Sequence, residues 1–244
     1  MAEKLYIDKI PAILWGEPSK KICIYIHGQG GNKKEAEYFS KKVCKYGWQV
    51  ISIDLPEHGE RIHEKDKFNP WNIIPELEIL MAFIKDRWSK ISLYANSIGA
   101  YFSILAYKNE TFDSCFFVSP VLDMKQLILD MMSWANVTMI QLEQHQKIAT
   151  DFGQTLSWEY LKYTSENPIE KWCTPTEILY SNKDELIKSD TIIRFVNSFN
   201  CGLTIYDGGE HWFHTEKQLK VLQNWILEKF CNKPSGNMSR RKLK

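Results

Sequence analysis

Apolar and polar positions divide the chain into short apolar runs that alternate with longer segments of helical spacing. Ile22 to Ile26, Gln49 to Ile53, Ile91 to Tyr94, Cys115 to Val118, Glu177 to Tyr180 and Leu203 to Tyr206 are near-continuous apolar runs. Such runs read as strands buried on both faces. Between them, Asn72 to Trp88 puts Ile73, Leu77, Leu80, Met81 and Ile84 at helical spacing. Lys33 to Tyr46 (stopped by Gly47), Ile98 to Lys108, Ile187 to Phe199 and Glu216 to Phe230 also read as helices. Leu5 to Ile7 and Ala12 to Trp15 predict an opening hairpin with Pro11 near its turn. Strands joined through helices require right-handed crossovers, so the pattern predicts a mostly parallel α/β sheet with helices on both faces.

One stretch, 121–170, breaks the alternation. Met124, Leu127, Ile128, Met131 and Met132 form a single helical stripe, and Trp134, Met139, Trp158 and Trp172 add bulky apolar surface nearby. Its place late in the strand series favours a small helical cap inserted into one domain spanning 1–231. A further helix packed on the core is the plainer alternative.

Composition narrows the class. With 44% hydrophobic and 25% charged residues the chain is that of an ordinary globular domain rather than a disordered one. The net charge of +1 is unevenly spread: 232–244 holds five basic residues and no acid, leaving −4 on the remainder. That terminus is expected to be a basic, disordered tail. A mildly acidic body without basic–aromatic interleaving argues against a nucleic-acid-binding role, leaving the tail at most a weak attraction to anionic lipid or nucleic acid. No apolar run is long enough to span a bilayer. The six cysteines are scattered without a C-x-x-C pair, which points to reduced thiols and a cytoplasmic location. No His, Cys, Asp and Glu cluster has metal-ligand spacing, and no metal or cofactor is expected.

The candidate chemistry lies where the strand-like runs end. Ile26-His27-Gly28-Gln29-Gly30-Gly31 follows one run and Asp54-Leu55-Pro56-Glu57-His58-Gly59 the next. Ala95-Asn96-Ser97-Ile98-Gly99 sits at a strand-to-helix turn, and Gly208-Gly209-Glu210-His211 comes near the end. The glycine-rich loop lacks both the G-K-[ST] ending of a P-loop and the G-x-G-x-x-G of a dinucleotide site. A serine at a sharp strand-to-helix turn stands clear of its own backbone, provided its neighbours are small. Ala95, Gly99 and Ala100 meet that need, although Ala95 replaces the glycine of the usual G-x-S-x-G pattern. The amide of Ile98 opens a helix, where it is free to donate to a developing negative charge.

Together, in this order, the four segments resemble the α/β-hydrolase family over about Ile22 to Phe230. The resemblance includes A-x-S-x-G variants of the turn. It implies a Ser97 nucleophile, a His211 base and an Asp184 acid in the chain order Ser, acid, His. It also implies an oxyanion hole from the backbone amides of Gln29 and Ile98. Asp123, following the run Cys115 to Val118, is the main rival to Asp184; Glu185 and Asp207 are weaker ones. Among the other histidines, His214 is a neighbour of the base, His27 and His58 brace their loops, and His145 has no supporting motif. The implied reaction is hydrolysis of a small-molecule carboxylic ester or thioester through an acyl-enzyme. An acyltransferase, a carbon–carbon bond hydrolase, or a non-catalytic binding module of the same fold are the alternatives.

Overall fold

The computed structural model describes residues 2–231 and 241–243. Its strands alternate as buried strands must. Ile22, Ile24 and Ile26 join one apolar layer while Cys23 and Tyr25 join the other. Leu93 and Ala95 likewise oppose Tyr94, and Cys115 and Phe117 oppose Phe116 and Val118. A two-residue side-chain period buried on both faces requires cover on both faces.

The chain opens with β1 (Ala2–Ile7), β2 (Ile10–Trp15) and β3 (Lys21–Ile26), then α1 (Ala36–Val43) and β4 (Gln49–Ile53). Next come α2 (Pro70–Lys85), β5 (Lys90–Asn96), α3 (Ile98–Tyr107) and β6 (Ser114–Val118). The stretch after β6 holds α4 (Met124–Trp134), α5 (Met139–His145), the hairpin β7 (Lys147–Ala149) and β8 (Thr155–Ser157), and α6 (Trp158–Glu166). The chain returns to the main sheet with β9 (Thr176–Ser181), α7 (Ser189–Phe199), β10 (Gly202–Tyr206), α8 (Glu216–Ile226) and β11 (Arg241–Leu243).

The main sheet has the order β1-β2-β4-β3-β5-β6-β9-β10-β11. It is parallel from β4 onward, with the antiparallel hairpin β1–β2 added at one edge. Phe39 and Val43 of α1 pack with Leu222 and Trp225 of α8 in one layer. Side chains of α2, α3, α4 and α7 build the other. The order reverses beside β3: the chain passes to β4 on one side and then back to β5 on the other. In open parallel sheets the crevice at such a switch, outside the carboxyl ends of the strands, is where ligands bind.

Some expected boundaries shift for local reasons. Pro11 lies inside β2, paired with Tyr6, and the hairpin turn is Asp8-Lys9, with Asp8 at φ 54°. The helix expected from Asn72 begins at Pro70, because Asn69 accepts from the Asn72 amide and Pro70 fits the first turn. Gly47, left-handed at φ 75°, ends the segment after α1 as expected. The hairpin β7–β8 was not legible in 121–170, where three-residue strands carry too little periodicity. The basic tail, expected without structure over 232–244, carries β11 parallel to β10 at Arg241–Leu243; its other residues lie outside the described ones. No helix among the described residues is long and apolar enough to cross a membrane.

Candidate active site

Ser97 joins β5 to α3 with φ 49° and ψ −122°, a conformation that favours glycine. The neighbouring backbone holds it there. The Ser97 amide donates to the Val118 carbonyl at 3.0 Å, and its carbonyl accepts from Ala100 and Val121, each at 3.1 Å. Crowding explains the small residues of the turn: a Cβ on Gly99 would stand 2.5 Å from the His27 carbonyl oxygen. Ala95 is fully buried, opposite Ile26 on one side and Phe117 on the other, so its methyl group is accommodated in the sheet.

His211 reaches Ser97 from the loop after β10. Its Nε2 lies 2.8 Å from Ser97 Oγ and its Nδ1 2.7 Å from Asp184 Oδ2. With the Nδ1 proton donated to Asp184, Nε2 is left to accept from the serine hydroxyl. The Asp184 carboxylate is buried, and its other oxygen accepts from the amides of Leu186 and Ile187, each at 2.9 Å. The loop is braced again where the Tyr180 hydroxyl donates to the Ile187 carbonyl at 2.8 Å. On the histidine side, Gly208 is left-handed at φ 112°, and the Ser181 hydroxyl donates to the Gly209 carbonyl.

The structure thus brings Ser97, His211 and Asp184 into one hydrogen-bonded line and leaves the rivals elsewhere. Asp123 caps α4, accepting from the Gln126 amide at 2.9 Å, and lies 3.6 Å from Arg194. Asp207 accepts from Asn182 at 2.7 Å, and Glu185 is exposed. His214 donates to the Trp212 carbonyl at 2.8 Å, and His145 is exposed near the end of α5.

Two buried histidines brace the loop carrying Gln29. His27 donates from Nδ1 to the Gly28 carbonyl at 2.7 Å and accepts from the Leu55 amide at Nε2. His58 donates to the Pro56 carbonyl and accepts from the Gly30 amide at 2.9 Å. The loop after β4 is fixed in turn by buried Asp54, which pairs with Lys33 and accepts from the Lys33 and Glu60 amides. Burial alone would raise the Asp54 carboxyl, but these partners outweigh it and hold it below its usual range.

Burial pulls His27 down from 6.5 to about 4, against the opposing effect of the Gly28 carbonyl. The unfolded chain therefore binds the extra proton first as pH falls. His27 is expected to remove about 3 kcal/mol of stability between pH 6.5 and 4. Denaturant unfolding at pH 7 and pH 4.5 checks this: His27→Gln should be less stable at pH 7 and show a flatter pH dependence than the wild type.

Ser97 and His211 open into a cavity of about 700 Å³, and Gln29 and Ile98 line it beside them. Met124, Leu127, Ile128 and Met131 of α4 form part of its wall. Trp134, Trp158 and Trp172 do not line it. Trp172 is buried against Phe112 and Phe117, and Trp134 and Met139 are exposed on the outer surface. The aromatic lining is instead Phe68, Trp71 and Tyr160. The signal for two of these was the run Phe68-Asn69-Pro70-Trp71 at a helix start, where two large rings flank a capping residue. Among the described residues, no group of three or more His, Cys, Asp or Glu is arranged to hold a metal ion.

No family model matches the chain. No curated protein matches it in sequence. Solved structures do match. The chain is similar to mouse alpha/beta hydrolase domain-containing protein 10, with a TM-score of 0.74 and 12% identity over 95% of this chain and 99% of that one. The fold is that of the α/β-hydrolases. Est1E from Butyrivibrio proteoclasticus, solved with ferulic acid bound, gives a TM-score of 0.71 and 16% identity over 94% of this chain and 99% of that one. A thioesterase domain from the curacin biosynthetic pathway gives 0.60 and 14% over 93% and 99%. Ser97 stands at the strand-to-helix turn after β5, the fifth strand of this chain.

Proposed function

We propose that the protein is a serine hydrolase that cleaves small-molecule carboxylic esters or thioesters through an acyl-enzyme. The observation that carries this reading is the unbroken line Ser97–His211–Asp184, opening into the cavity with the serine in a glycine-favouring conformation. In this reading His211 takes the serine proton as Ser97 attacks the carbonyl carbon, then passes it to the leaving group. Water, deprotonated by His211, later releases the acid. Asp184 fixes the histidine tautomer and stabilises the imidazolium. The amides of Ile98 and Gln29 are the proposed donors to the oxyanion. None of these steps calls for a cofactor or a metal. The ferulic acid bound to Est1E and the thioesterase domain among the structural neighbours lend support to an acyl substrate.

An acyl-enzyme has a kinetic signature. With a p-nitrophenyl ester in excess, p-nitrophenol is expected to appear in a burst equal to the enzyme concentration when deacylation is slower than acylation. Turnover of a series of p-nitrophenyl esters with no burst for any of them and no acyl-enzyme trapped on acid quench would count against this reading.

A further inference from the structure

The turn that carries Gln29 lies against the nucleophile: a Cβ on Gly28 would stand 3.2 Å from Ser97 Cβ. Histidine rings hold this turn from both sides. In a trans peptide the carbonyl and the N–H of one plane point in opposite directions. The Gly28 carbonyl accepts from His27 Nδ1 at 2.7 Å and from the Gly31 amide at 3.2 Å. Those two bonds fix the plane shared by Gly28 and Gln29, and with it the direction of the Gln29 N–H. The next plane, shared by Gln29 and Gly30, is fixed by the Gly30 amide, which donates to His58 Nε2 at 2.9 Å. With a plane held on each side, both backbone torsions of Gln29 are set. Gly30 completes the turn at φ 76°, a left-handed value that glycine adopts without strain.

His58 is itself immobilised. It donates from Nδ1 to the Pro56 carbonyl at 2.8 Å, which leaves Nε2 as the acceptor. Its ring is buried, packed 4.5 Å from Phe68 of the cavity wall and 5.1 Å from His27. The exchange between the two loops is reciprocal, since His27 accepts at 3.1 Å from the Leu55 amide of the loop that carries His58. A backbone donor stabilises a transition state most when it is already aimed before the reaction starts. Without His58 the second plane is free to flip and the turn no longer has one conformation. The Gly31-to-Gly28 bond that helps to aim the Gln29 amide then loosens with it.

Resting on the hydrolase reading above, we propose that His58 is a positioning residue of the reaction: through the Gly30 amide it keeps the Gln29 amide aimed at the oxyanion. His58 does not line the cavity and acts only through the turn. Its contribution is confined to the tetrahedral states, where the former carbonyl oxygen carries negative charge, and is absent from ground-state binding.

The test uses the full chain with p-nitrophenyl butyrate and two inhibitors, hexyl trifluoromethyl ketone and hexyl methyl ketone. Ser97 Oγ adds to the carbonyl carbon of the trifluoromethyl ketone, the serine proton passes to His211, and the carbonyl oxygen becomes the oxyanion. The methyl ketone is not activated for this addition and reports ground-state binding. His58→Leu, which fills the space without an acceptor, should lower kcat/KM about tenfold to a hundredfold, less than the loss of a whole oxyanion donor. The trifluoromethyl ketone should lose affinity by the same factor, while the methyl ketone stays within about twofold. His58→Gln, whose side-chain oxygen can accept from the Gly30 amide, should return kcat/KM to within about threefold of the wild type. Inhibition constants do not depend on how much of a variant is folded. A His58→Leu protein that loses both ketones equally, or keeps the wild-type affinity for the trifluoromethyl ketone, overturns the positioning role. A wild-type protein that binds the trifluoromethyl ketone no more tightly than the methyl ketone overturns the hydrolase reading itself.

Discussion

Ser97→Ala is expected to lower ester turnover by at least about a thousandfold while leaving the fold intact. The hydroxyl is the only group of the side chain that engages His211, and its removal takes away the nucleophile without disturbing the turn. Ser97→Gly separates chemistry from stability more sharply. At φ 49° and ψ −122° the backbone suits glycine better than serine. This variant should be as inactive as the alanine one, yet unfold at an equal or higher temperature, by about 1 kcal/mol of relieved strain. Steady-state kinetics and thermal unfolding on the same samples check both halves.

Asp184→Asn should have the next largest effect, a fall in kcat of about a thousand- to ten-thousandfold. The asparagine side chain fits the space and keeps an oxygen for the Leu186 and Ile187 amides. Its amide group, however, would face His211 Nδ1 as a donor. The ring would then be favoured in the tautomer that places a proton on Nε2, where the serine proton must go. Asp123→Asn is the control. Asn caps a helix as well as Asp does, so this variant should stay within about twofold of the wild type. Comparing pH–rate profiles of the two variants distinguishes loss of the base from general damage.

Much of this site was legible because its parts sit at strand ends, and strands announce themselves. The apolar runs ending at Ile26, Ile53, Tyr94, Tyr180 and Tyr206 each introduce a loop that reaches the serine or braces its surroundings. The line Ser97–His211–Asp184 follows from that placement. Two sequence features alone could not decide between Asp184 and Asp123, since both follow strands; the geometry separates them by which carboxylate meets Nδ1. The cavity wall was less legible. The stripe on α4 shows because a helix repeats its face every third or fourth residue. Phe68, Trp71 and Tyr160 come from three unrelated elements, and only tertiary packing unites them. The tryptophans counted toward the cap went elsewhere for the same reason: composition records how much aromatic surface a segment has, not which way it faces.

The central claim is that Ser97 is the nucleophile, and covalent capture tests it most directly. Incubating the protein with a fluorophosphonate should add one probe per chain, and peptide mapping should find it on Ser97. Labelling should vanish in Ser97→Ala and be strongly slowed in Asp184→Asn. A wild-type protein that stays unlabelled, or one labelled at another residue with Ser97→Ala reacting equally fast, would contradict the account.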